Sequence, residues 1–295
     1  MAHQHRVEPA AAALAAGDGA ELAAPLAQAL AEAPADWSRR GRALESTLIA
    51  QYGAKRHEAC ARTALAELPK VPHSASWANA AALGLSCALQ VPEGTADAQA
   101  LRESLEAKAR EALSPDIVMP GDDRSGVYDV LVQARAAAKD EAGAKALAAQ
   151  WLTFLEGEAA KAPTPEQRTV FDSHRIGAAL LLGDPMRVVP AIEQSEKDLP
   201  DDYNPPARLA NLYRRLGRLD EALAASTRAL SKVQGSRRLR VLSERADIHV
   251  ARGEKDEAVR TLEEAIAYAK TLSGAQASPR MVAALEKKLA DTKAK

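Results

Sequence analysis

Leu-Gly-Arg-Leu-Asp-Glu-Ala at 216–222 and Arg-Gly-Glu-Lys-Asp-Glu-Ala at 252–258 are near copies. In each, a glycine ends one helix-forming run and an Asp-Glu-Ala opens the next. Gly183, Gly217 and Gly253 stand 34 and then 36 residues apart, and Ala222 and Ala229 recur 36 residues later as Ala258 and Ala265. A fixed period of this size marks stacked helical hairpins, which bury their apolar faces against one another. Such an array grows by adding units, so a chain of 295 residues need not enclose one large core. It also points to a binding surface more than to a catalytic pocket.

Composition agrees. Alanine makes up nearly a quarter of the chain, Leu, Glu, Lys and Arg are abundant, and aromatics are 3%. Alanine is the best helix former and lets helices approach closely, while β-branched and aromatic residues are too scarce for a large sheet. The expected class is all-α, an α-α superhelix of antiparallel hairpins.

Local signals place the elements. Thr164-Pro-Glu-Gln167 predicts an N-cap, a proline at the first helical position and a Gln able to close a capping box. That helix is expected to run to about Leu182, followed by helices at 186–198, 206–216, 219–233, 237–252 and 255–272. Ser278-Pro279 caps a last helix, 279–293, that would solvate the open end of the array. Earlier helices are expected over 20–32, 37–52, 55–67, 75–90, 96–113, 125–138 and 141–160. Arg56-His-Glu-Ala59 after Gly53, and Lys139-Asp-Glu-Ala142, echo the repeated turn out of phase. Asp122 and Asp123 read as a helix-starting turn with Ser125 as N-cap. The chain thus divides into a frayed or disordered N-terminus (1–19), an irregular helical-hairpin region (20–122) and repeats with a capping helix (123–295). Clear repeats lie within 164–272, and 116–124 is the place for a flexible joint.

Net charge is −1, so no global field recruits DNA or a membrane. Residues 204–245 nevertheless hold ten Arg or Lys against three acids, a surplus of seven that leaves −8 for the remainder. Cys60 and Cys87 have no Cys-x-x-Cys spacing. On a hairpin turning near residue 70, Cys87 is displaced about six residues, roughly 9 Å, from the position facing Cys60. A disulfide needs Cα atoms within about 7 Å, so two reduced, partly buried thiols are expected. No apolar run is long enough to span a membrane. The N-terminus lacks a Leu-rich signal core, which implies a cytoplasmic protein, or a periplasmic or envelope one if the start is truncated.

The repeated turn and its surroundings resemble the tetratricopeptide repeat family. Leu209-Ala210, Tyr213, Gly217, Ala222, Ala229 and Leu230 match its pattern, as do Ala246, Gly253, Ala258, Leu262 and Ala265, and earlier Gly183, Ile192 and Pro200. Departures are His249 where Tyr213 stands, Ser226 for an aromatic, and Arg245 at a normally apolar place. Asp201–Arg208, Gly235–Val241, Ser76–Ala80 and Asp122–Gly126 are similar to the repeat region that follows a thioredoxin domain in some bacterial proteins. That domain is absent here, and its redox activity is not carried over.

The resemblance implies that the first helix of each hairpin lines a concave, peptide-binding face. Residues expected there are Asn204, Arg208, Asn211, Arg214 and Arg215, then Arg240, Ser243 and Asp247. Guanidinium groups grip carboxylates bidentately, so this set suits an acidic protein or peptide partner. The family's carboxylate clamp is not reproduced, and a solvated polar face accounts for the same residues. The reading is a non-catalytic protein-interaction scaffold. An accessory module of a thioredoxin-like or envelope system is one alternative, and a regulator or nucleic-acid binder using the basic segment is another. Near-absence of interleaved aromatics argues against nucleic acid. No phosphate-cradling glycine loop or Gly-x-Ser-x-Gly occurs. His57, His174 and His249 have no carboxylate or Cys partner at ligand spacing, so neither metal nor cofactor is expected. Met1-Ala2-His3 would bind Cu(II) only if Met1 were retained.

Overall fold

The computed structural model describes residues 19–34, 36–272 and 278–294. The segment expected to be frayed, with Met1-Ala2-His3, lies outside them except for Gly19. Every regular element among the described residues is helical. In chain order these are α1 (Gly19–Glu32), α2 (Arg40–Gly53), α3 (His57–Glu67), α4 (Ala75–Leu89), α5 (Ala98–Glu111), α6 (Gly121–Ala137) and α7 (Glu141–Lys161). There follow α8 (Pro165–Thr169), α9 (Asp172–Leu182), α10 (Val189–Asp198), α11 (Asn204–Arg215), α12 (Leu219–Leu230), α13 (Ser236–Ala251), α14 (Lys255–Thr271) and α15 (Pro279–Ala294). The fold is an α-α superhelical repeat. No described helix is long and apolar enough to cross a membrane.

One turn recurs. Lys55, Lys139, Gly183, Gly217 and Gly253 adopt the left-handed conformation, with φ of 57°, 58°, 85°, 73° and 78°. The next N–H then reaches back over the finished helix: Arg56 to Gln51, Asp140 to Arg135, Asp184 to Ala179, Arg218 to Tyr213 and Glu254 to His249, all at 2.8–2.9 Å. This Schellman closure satisfies carbonyls that the helix end would leave unpaired. In each case the second arm starts two residues after the left-handed one. The echoes at 53–59 and 139–142 are therefore the same turn, but its pivot is a lysine in both, and Gly53 remains the last residue of α2.

The chain divides into two compact units, Met1–Leu155 and Glu156–Lys295. At the centre of the first is α4, which packs against α2, α3, α5 and α6. Its buried side chains are mostly small: Ala78, Ala80, Ala81, Cys87 and Ala88, with Trp77 and Leu85. Gly84 sits so close to α3 that a Cβ there would meet the Ala64 Cβ at 2.6 Å. Two arginines satisfy loop carbonyls around this core. Arg102 donates to Ala88 O in the last turn of α4 and to Val91 O past its end. Arg124 donates to Leu113 O, Ser114 O and Ile117 O, holding the 112–120 connection against α6.

The structure corrects two readings in this unit. Ser125 is not an N-cap: α6 begins at Gly121, leaving Asp122 and Asp123 in its first turn, where the helix dipole favours acids. Ser125 is fully buried and accepts from Trp151 Nε1 at 2.8 Å. Cys60 and Cys87 are not free thiols. They form a disulfide with Cα atoms 5.9 Å apart, and both residues are fully buried. The 3₁₀ turn Leu68–Lys70 prolongs the first arm, and Ser74 starts the second by accepting from Trp77 N. The hairpin consequently reverses around residues 73 and 74, midway between the cysteines, instead of near 70.

In the second unit α10 packs on α11, α11 on α12 and α13, α12 on α13, α13 on α14, and α14 on α15. Thr164 caps α8 as expected, accepting from Gln167 N at 3.3 Å, and Ser278 accepts from Met281 N at 3.2 Å. The predicted helix 164–182 is interrupted at Val170 and Phe171, and Arg208 donates to the adjacent Thr169 carbonyl at 3.2 Å. The predicted helix 186–198 starts with a 3₁₀ turn, Pro185–Val188, before α10. Leu285 on α15 joins Leu239, Leu242, Ala246, Leu262, Ala265 and Ala269 in the terminal core cluster.

Two measurements test this description. A Cβ at Gly217 or Gly253 would meet nothing within 4 Å, so only backbone strain opposes substitution. Gly217→Ala should destabilise by about 1–2 kcal/mol, and Lys139→Gly should not destabilise despite introducing glycine. Equal losses in urea denaturation would contradict the shared turn. The disulfide closes a 27-residue separation, and its loss in Cys60→Ala/Cys87→Ala should cost about 3–4 kcal/mol. Alkylation of the unreduced chain in guanidinium should find no thiol; modification of both cysteines would disprove the pairing.

Candidate functional site

The helix faces of α9, α11 and α13 enclose a groove of about 580 Å³ in the second unit. Ser173 and Ile176 come from α9, one turn apart. Tyr203, Asn204, Ala207, Arg208, Ala210 and Asn211 come from α11 and its entry, and Arg237, Arg240, Val241 and Glu244 from α13. Their three- and four-residue spacing sets them on one face of each helix. Pro205 and Pro206 occupy the first turn of α11, where their missing N–H groups cost nothing.

Four of the expected residues, Asn204, Arg208, Asn211 and Arg240, line this groove, and Arg214, Arg215, Ser243 and Asp247 do not. Asn204 is held by Asp202, whose Oδ1 accepts from its backbone N–H at 2.9 Å and from its Nδ2 at 2.8 Å. Arg208 reaches back to α9, donating to Ser173 Oγ at 3.1 Å, with buried Asp172 at 3.5 Å. Asp172 is shared with buried Arg175. Arg215 donates to Asn211 Oδ1. Lys288 of α15 bonds Asp247 and Ser243, taking both into the end-cap contact.

Glu244 was not anticipated. Its Oε1 accepts from Arg214 Nε at 2.6 Å and its Oε2 from Asn211 Nδ2 at 3.0 Å. The bond to Glu244 raises the Arg214 pKa further. Ile176 and Val241 also escaped sequence reading, because an apolar residue at helical spacing carries no sign of whether it faces a core or a groove. Arg237 lies 5.9 Å from the centre of the Tyr203 ring. Arg240 is exposed and forms no ion pair with a described residue.

Three of the seven surplus charges in 204–245 meet acids from outside that segment. Arg228 pairs with Glu196, Arg238 with Glu264, Arg208 with Asp172, and Arg218 with Glu221 in its own turn. Tyr213 is buried and donates to Glu193 at 2.6 Å; burial and that bond push its pKa up to about 12. His249, at the matching place, does have a carboxylate partner: its Nδ1 lies 2.7 Å from Glu254 Oε2, and Arg252 Nε donates to the other oxygen, Oε1. The loop beyond Gly253 returns Glu254 to the helix it has just left. Among the described residues, no group of three or more His, Cys, Asp or Glu is placed to hold a metal.

Residues 203–271 match the tetratricopeptide repeat family model. Among solved structures, a tetratricopeptide repeat protein from Parabacteroides merdae aligns with a TM-score of 0.56 at 12% identity, covering 99% of this chain and 98% of its own. YrrB, described as a tetratricopeptide repeat protein with an unusual peptide-binding site, aligns at 0.36 and 14% identity over 63% of this chain and 83% of its own. A chain of the APC/C hetero-tetramer Cut9–Hcn1 aligns at 0.38 and 10% identity over 85% and 44%. The first likeness shows the fold, and the other two carry nothing further. No curated protein matches the sequence.

Within the matched segment, two departures from the repeat pattern compensate each other. Ser226 is fully buried where an aromatic is usual, and Arg245 from α13 donates to its Oγ at 2.9 Å and to Thr227 Oγ1 at 2.8 Å. Desolvation lowers the Arg245 pKa, so these hydroxyls supply contacts that burial removes. A double-mutant cycle between Ser226→Ala and Arg245→Ala should give a coupling of about 0.5–1.5 kcal/mol. Strict additivity in denaturant midpoints would refute the pairing.

Proposed function

We propose that the tetratricopeptide repeats of this chain form a protein-interaction scaffold without catalysis of its own, binding an extended segment of another protein in the α9–α11–α13 groove. Repeats of this family are in general protein-protein interaction modules. The observation that carries the reading is a groove built from the first helices of three consecutive hairpins, with Arg240 exposed and unpaired at its wall. Partly exposed Ala207 beside it can meet an apolar side chain of an extended peptide, while Asn204 and the arginines contact polar groups.

The buried disulfide favours an oxidising compartment, since such bonds persist there and are rare where thiols are kept reduced. That supports the envelope alternative for location. A redox role has less support, because a fully buried pair offers no sulfur to an attacking thiolate.

A photo-crosslinking residue at Arg240 should trap a partner protein from the native cell, and the same residue at exposed Glu286 on α15 should not. Trapping at both sites alike, or turnover of a substrate by the isolated chain, would sink the reading.

A further inference from the structure

Resting on the groove reading above, we propose that the ligand is an acidic extended peptide and that Glu244 is a built-in competitor for its carboxylate. Among the groove's lining residues are three arginines, Arg208, Arg237 and Arg240, and one acid, Glu244. Asp172 stands behind Arg208 but is shared with Arg175, so it does not cancel both cations. The balance facing a ligand is positive.

Glu244 sits four residues after Arg240 on α13, close enough for an intrahelical pair, but Arg before Glu is the less favourable order. Its carboxylate turns instead to α11, where Asn211 Nδ2 and Arg214 Nε hold one oxygen each at 3.0 and 2.6 Å. Those two donors, Asn211 from the groove lining and Arg214 from outside it, are arranged as a carboxylate grip, and the chain's own side chain fills it. An incoming peptide therefore finds Arg240 open and the Asn211–Arg214 pair occupied. Removing Glu244 releases both donors and adds one positive charge to the groove. Nucleic acid is the poorer fit, because Arg237 lies near the ring of Tyr203, the aromatic of the lining on which a base would stack.

The test uses the full chain and fluorescence anisotropy with three probes: a short labelled peptide rich in Asp and Glu, its Asn/Gln counterpart, and a single-stranded RNA oligomer. Thermal melts confirm that Glu244→Gln, Glu244→Ala and Arg240→Glu are folded. The wild type should prefer the acidic peptide, Arg240→Glu should weaken it about tenfold or more, and both Glu244 variants should tighten it about tenfold, the scale of a charge-assisted bond. If the wild type keeps its acidic preference but neither Glu244 variant tightens binding, the competitor role is overturned and the groove reading stands. If wild type and variants bind acidic and amide peptides equally and Arg240→Glu changes nothing, the groove reading falls with it. RNA bound more tightly than the acidic peptide, and tightened further by Glu244→Gln, overturns the choice of ligand.

Discussion

Five hairpins each turn on one residue held in the left-handed region: Lys55, Lys139, Gly183, Gly217 and Gly253. That conformation lets the following N–H close back on the finished helix, so the second arm leaves at a fixed point two residues later. Because the exit is fixed, the small residues after it arrive in phase: Ala222 and Ala229 on α12, Ala258 and Ala265 on α14, all fully buried. Close approach of helices through alanine then follows from the turn. Where glycine supplies the pivot the backbone strain is small; exposed Lys55 and Lys139 carry a Cβ in the same conformation, which costs more.

A second organising force is the use of arginine to finish backbone accounting. Buried Arg40 donates to Ala33 O and Pro34 O beyond α1 while pairing with Glu67. Burial alone would raise the Glu67 carboxyl, but bonds from Lys70 and Arg40 outweigh it and hold the carboxyl below its usual range. Arg102, Arg124 and Arg238 serve carbonyls at other helix ends in the same way. A guanidinium carries five donors in a rigid fork, so one side chain can satisfy several orphan acceptors. The arginines of 204–245 therefore make a poor count of available charge. Those facing the groove without an acid are few, and they define its character.

The groove illustrates how local identity and tertiary placement divide the work. Asn204, Arg208, Asn211 and Arg240 were legible as groove residues because they sit at first-helix positions of units with a clear period. Glu244 was not, since a glutamate four residues after an arginine reads as a solvated helix pair until α11 is seen beside it. Ser226 and Arg245 looked like two unrelated departures from the repeat. They become one contact only when α12 and α13 are adjacent.

By itself the sequence determined the all-helical class, the hairpin period, the pivots at Gly183, Gly217 and Gly253, and the caps at Thr164 and Ser278. All of these rest on interactions spanning a few residues, which propensity and spacing encode directly. Tertiary structure decided which carboxylate faces which arginine, that Arg208 meets the Thr169 carbonyl at a helix break, and that Cys60 opposes Cys87. The last depended on a three-residue 3₁₀ extension that shifts the hairpin's midpoint. Such a shift changes which residues face each other while leaving every local preference satisfied, so no local pattern reports it.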